Sequence, residues 1–172
     1  TSARTAVLLF LAAAIGCSSA SSDNAKLSDA SAVSGRDYLL QEEPDGAVGV
    51  IAARESAEDG APVVVVGRIG GSANPWIDGR AAFTLLDASM TVVGEGEDSA
   101  EGELCTGDCC ATERLACTTL VKVVDGDGQI VPVDTRKLLG VKEADMIVVK
   151  GTAKKDKSGN LTLLANRVYV RN

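Results

Sequence analysis

The 172 residues include no histidine, which excludes triads built on an imidazole base, His-ligated zinc sites and the usual proton shuttle at neutral pH. Aromatic side chains make up 3% of the chain, so a stacking platform for unpaired bases would have few rings to use. Positive charge is scarce as well. Against 24 Asp and Glu there are 17 Lys and Arg, the formal net charge is -7, and the surface as a whole repels nucleic acid and anionic lipid. No nucleophile with a matching base and no Gly-rich phosphate loop ahead of a helix can be found. The remainder, 45% hydrophobic and 24% charged, suits one domain of ordinary size plus some unstructured sequence, with no catalysis indicated.

The chain opens with Arg4, an apolar stretch over residues 6–15, and Gly16-Cys17. About ten apolar residues reach only roughly 15 Å as helix, half of what a membrane span needs, so residues 1–16 read as a signal peptide. The run Leu11-Ala12-Ala13-Ala14-Ile15-Gly16-Cys17 resembles the lipobox of bacterial lipoproteins, with Ala14 where that motif usually has Leu. The resemblance implies cleavage before Cys17, lipidation of its sulfur, and an exported chain anchored at the cell membrane or outer membrane. An ordinary secretory cut near Ser19 or Ala20 is the alternative. Residues 17–37, rich in Ser, Ala and Asp, cannot bury enough apolar area to offset ordering and form a flexible tether.

Residues 38–61 are expected to be a helical extension, with Val48, Ile51 and Ala52 at helical spacing in a helix over 46–58. From residue 62 to 172 the pattern changes to short β-branched runs separated by turn residues, so the fold class is mainly β. Five strands are placed: 62–69, with Gly67 at a strong bend; 80–87, with Ala81, Phe83 and Leu85 on one face; 118–124, with Val121 and Val123 inward; 146–153; and 161–171. In the last, Leu161, Leu163 and Ala165 share a face before the phase slips to Val168 and Val170, which marks a bulge near Asn166. Between the third and fourth strands Asp134 can cap a short helix bearing Leu138, Leu139 and Val141.

The order strand, strand, strand, helix, strand, strand looks like an OB-fold, a five-stranded Greek-key barrel. Val63-Val64-Val65-Val66-Gly67-Arg68-Ile69-Gly70-Gly71 and Asp78-Gly79-Arg80-Ala81-Ala82-Phe83 are similar to the first hairpin of nucleic-acid-binding domains of the anticodon-binding type. Val148-Val149-Lys150-Gly151-Thr152-Ala153 resembles their fourth strand. In such domains the loop joining strands four and five often grips the ligand, and Lys154-Lys155-Asp156-Lys157-Ser158-Gly159-Asn160 fills that place here. Candidate ligand-binding side chains are therefore Arg68, Trp76, Lys150, Lys154, Lys155, Lys157 and Tyr169. The bland reading of the loop is a solvated hairpin tip, and of Trp76 a hydrophobic lid.

A Cys-rich insertion, residues 88–117, separates the second and third strands and holds Cys105, Cys109, Cys110 and Cys117. An exported address favours disulfides, paired 105 with 109 and 110 with 117, or 105 with 110 and 109 with 117. The alternative is a thiol-dependent or metal-dependent redox protein with zinc or an iron-sulfur centre on the four sulfurs, although C-x3-C-C-x6-C matches no usual knuckle or ferredoxin run. Otherwise no cofactor is indicated. Asp125-Gly126-Asp127-Gly128-Gln129 begins like a calcium loop but lacks the later ligands, and reads as a turn.

Charge is segregated: residues 146–172 carry six basic side chains against one acid, a net of +5. These features describe a lipid-anchored OB-fold module that binds an envelope protein, a polysaccharide or a small ligand. Oligonucleotide binding is a further alternative, opposed by the net charge, the scarce rings and the exported address.

Overall fold

The computed structural model describes residues 33–93, 103–105 and 111–171, with backbone alone at 92, 93 and 103–105. The readings made on the leader, the lipobox and most of the tether lie outside these residues, as do Cys109 and Cys110. The elements in chain order are a 3-10 turn (Gly35–Asp37), β1 (Val48–Gly49), α1 (Val50–Ser56), β2 (Pro62–Ile69), β3 (Ala82–Asp87), β4 (Thr91–Val93), β5 (Glu103–Cys105), α2 (Ala111–Cys117), β6 (Thr118–Val123), α3 (Thr135–Leu139), β7 (Met146–Lys155) and β8 (Leu161–Val170).

Five strands pair in the order β2-β3-β6-β8-β7, and β7 pairs back onto β2, so the sheet closes. All of these pairings are antiparallel except β6 with β8, which run parallel. A closed five-stranded mixed barrel with a helix between its third and fourth strands is an OB-fold, as the sequence predicts. The barrel interior is filled by the inward face of each strand: Val65 and Ile69, Phe83 and Leu85, Val121 and Val123, Ile147 and Val149, Leu163 and Ala165 are all essentially inaccessible. Buried Thr119 is satisfied, its hydroxyl donating to the Leu161 carbonyl at 2.8 Å.

Bending falls where the side chain is missing. A Cβ at Gly67 would lie 2.5 Å from the Leu86 carbonyl oxygen, so the point where β2, still paired with β7 on one edge, begins to pair with β3 on the other needs a residue without a side chain. The bulge is where the phase slip puts it: Gly151 pairs with Ala165 and Lys150 with Arg167, leaving Asn166 as the additional residue. Helix α3 is capped by Asp134, whose carboxylate accepts from the Arg136 amide, and buries Leu138 and Leu139.

Helix α1 is shorter than the spacing predicts and turns a different face inward. Val50 and Ala53 are buried, while Val48 and Ile51 are about 39% and 36% exposed. Residues 48 and 49 are held extended by parallel pairing with Val65 and Val66. The helix therefore begins after Gly49, where the Asp87 carboxylate accepts from the Ile51 amide at 2.9 Å and fixes its rotation. The second strand starts at Ala82 rather than residue 80, because Ala81 bonds across to Val131 instead. The insertion holds elements the sequence did not reveal, a parallel β4–β5 pair and α2.

Candidate functional site

Where β6 ends, the outer edge of β8 changes partner. Val124 donates to the Ala165 carbonyl, and two residues past Asn166 the Val168 amide donates to Tyr38, whose neighbour Leu39 forms a parallel bridge with Val168. The bulge at Asn166 sits in the gap between these two partners. A cleft of about 630 Å³ opens there, lined by Asp37, Tyr38, Asp125, Gly126, Asn166 and Arg167 among others.

Each wall is fixed by local structure. Asp37 and Tyr38 leave the 3-10 turn, whose Gly35 packs against the α3 backbone so closely that a Cβ would overlap the Leu138 oxygen. Asp125 opens a tight turn in which its Oδ1 accepts from the amides of Asp127 and Gln129, at 3.0 and 2.9 Å, and Gly128 takes a positive φ of 76°. The turn reading of this segment is thus correct: that oxygen serves the backbone. Among the described residues, no group of three or more carboxylates and thiols is placed to hold a metal. Tyr38 is 9% exposed with its ring in the barrel core. Burial raises the pKa of its phenol, and the charges of Asp125 and Asp37 raise it further against a smaller opposing effect of Arg167.

The residues singled out from sequence do not converge. Arg68, on β2, donates to the Ala144 carbonyl at 3.3 Å and lines a cleft of about 300 Å³ with Gly70 and Glu143. Tyr169 lines another with Leu39 and Leu139, and exposed Lys150 a third with residues 40–44. Trp76 is half-buried against the core, its ring 6.2 Å from that of Phe83 and 5.4 Å from the Arg136 guanidinium, the placement of a lid over the barrel. Lys154 pairs with Asp59 at 3.2 Å, and the Lys155 amide donates to the same carboxylate. Lys157 is exposed at the hairpin tip, where Asp156 accepts from the amides of Ser158 and Asn160.

The basic C-terminal hairpin is accordingly matched by acids of the N-terminal segment, because Arg171 also forms a two-point ion pair with Glu43. Sequence reasoning missed Asp37, Tyr38 and Arg167 as site residues. The phase slip at Asn166 was the available signal, since bulges re-aim side chains outward.

Of the four clustered cysteines, Cys117 is described with its side chain. It is a free, buried thiol that donates to the Glu113 carbonyl at 3.1 Å and packs on Leu86 and Met90. Burial chiefly pushes its pKa up, the reverse of what a reactive thiolate needs. Cys105 lies on β5, described by its backbone alone.

No family model matches the chain, and no curated protein matches it. Among solved structures, the chain is similar to OBody AM1L10 bound to hen egg-white lysozyme, at 12% identity and a TM-score of 0.35, covering 69% of this chain and 90% of that one. It is also similar to a putative aspartyl-tRNA synthetase from Leishmania major Friedlin, at 11% identity and a TM-score of 0.40, over 77% of this chain and 22% of the synthetase.

Proposed function

We propose that the chain is an exported, lipid-anchored binding module of the cell envelope, attached through Cys17, which holds a ligand or partner without altering it chemically. The observation that supports it is the cleft at the β8 bulge, a concavity with unspent hydrogen-bonding groups on a rigid closed barrel. The titratable groups with lowered pKa, Glu43, Asp59, Asp87, Asp134 and Asp156, are each engaged in hydrogen bonds that tie elements, caps and turns together, a pattern of structural rather than catalytic use. The address is supported by the Arg4 start, the apolar stretch and Gly16-Cys17.

The test is metabolic labelling with palmitate together with membrane fractionation of the full-length chain and its Cys17→Ser variant. The parent incorporates label and sediments with membranes, whereas the variant does neither. A Cys17→Ser chain that remains labelled and sediments as before defeats the anchor. Turnover of an envelope substrate by purified protein would defeat the non-catalytic role.

A further inference from the structure

The cleft at the bulge contains more than shape. Tyr38 packs its ring into the core and lines the cleft, and among the described residues nothing hydrogen-bonds to its hydroxyl, which solvent reaches. Three charged groups lie along the same walls. Asp37 has its carboxylate unengaged, Asp125 has used only Oδ1, and Arg167 spends a single N–H, on the neighbouring Asn166 carbonyl at 2.8 Å. Among the described residues no carboxylate lies within ion-pair distance of Arg167. The cleft thus brings a solvent-reached hydroxyl and charges of both signs to one concavity, with donors and acceptors that the fold does not use.

We propose that this cleft binds a small zwitterionic amine, an amino acid or short peptide, with its ammonium between Asp37, Asp125 and the Tyr38 oxygen and its carboxylate on Arg167. The choice follows by elimination. An anion alone meets two carboxylates, and a cation alone meets a guanidinium. A neutral polyol would desolvate all three charges while neutralising none. A zwitterion answers both signs at once, and guanidinium and carboxylate favour a two-point contact. The volume falls within the range of roughly 300–1,000 Å³ usual for small-molecule sites. This inference rests on the binding-module reading and names the ligand class for it.

The test is an amide NMR titration of the full-length chain, following Gly126, Gly128, Asn166 and Arg167, with glycine, glycylglycine, methylammonium, acetate and glucose as probes. Glycine or glycylglycine shifts these amides saturably, methylammonium and acetate bind at least tenfold more weakly, and glucose does not bind. Tyr38→Phe weakens zwitterion binding about tenfold and leaves the melting temperature unchanged, because its hydroxyl holds nothing in the fold. Arg167→Gln removes the preference for glycine over methylammonium. Glucose binding as tightly as glycine, or no saturable shift with any zwitterion, overturns the proposal, and so does undiminished affinity in Tyr38→Phe. The labelling experiment above reads the module's address independently, so a chain that is labelled and membrane-bound but deaf to zwitterions refutes this site alone.

Discussion

Asp87 is a buried carboxylate that the fold uses as a joint. Its Oδ1 accepts from both the amide and the hydroxyl of Ser89, and its Oδ2 from the Ile51 amide, so one side chain ties the end of β3 to the start of α1. Burial by itself would raise its pKa, but the hydrogen bonds from Ser89 and Ile51 outweigh that and hold it below the ordinary carboxylate range. Asp87→Ala leaves the Ile51 and Ser89 amides without this acceptor and should cost about 1–3 kcal/mol, read as a lower urea midpoint at unchanged slope. Asp134 behaves alike on the surface: hydrogen bonding from Arg136 brings it down to about 2. Both folded-state values lie below the unfolded ones, so this stability is fully present above roughly pH 4 and is lost as pH falls toward 2. Urea midpoints at pH 7, 4 and 2.5 should therefore decline only at the acid end, and less steeply in Asp134→Ala. A midpoint that declines instead between pH 7 and 5 would contradict this assignment, since the chain holds no histidine to titrate there.

Among the elements, the barrel strands were the legible part and the junctions were not. Alternation of Val, Ile and Leu with polar residues set the inward face of each strand, because a one-residue slip would turn every core side chain to solvent. The bulge could be read for the same reason, as a break in that alternation at Asn166. Helix α1 misled because seven residues hold too few turns to define a stripe, and its rotation is set by Asp87, 36 positions away. The cleft was invisible for a related reason: Tyr38, Asp125 and Arg167 meet only because β8 changes partner, and no local spacing records that. The bulge also yields a prediction. A Cβ at Gly151 would lie 2.0 Å from the Leu164 oxygen, a backbone atom that cannot swing aside. Gly151→Ala should therefore destabilise by about 1–3 kcal/mol or more, as overpacking does, and shift the amides of residues 164–167 in an NMR spectrum. Gly126, with nothing near its missing Cβ, is the control, and Gly126→Ala should leave both readouts nearly unchanged.

At the largest scale that the described residues allow, a strap runs along the barrel: residues 38–61 begin on the β8 edge at Tyr38 and Leu39, pair with β2 at Val48 and Gly49, and end where Asp59 meets Lys154. Two kinds of contact hold the strap, and their magnitudes decide which matters. The Glu43–Arg171 and Lys154–Asp59 pairs are solvent-exposed, and water screens such pairs so that they contribute little. Tyr38, Val50 and Ala53 belong to the barrel's own core, where burying a large side chain contributes about 1.5–3 kcal/mol. The strap is therefore part of the folding unit rather than an appendage held by charge. A chain begun at Val33 should match the full-length melting temperature, while one begun at Ala61 should lose at least half of its urea stability or its cooperative transition. Raising the salt to 1 M should hardly move the longer chain, because screening acts only on the weaker contacts. If the Ala61 chain melted as the Val33 chain does, the strap would be ornamental, and the cleft between Tyr38 and the bulge would have no fixed wall.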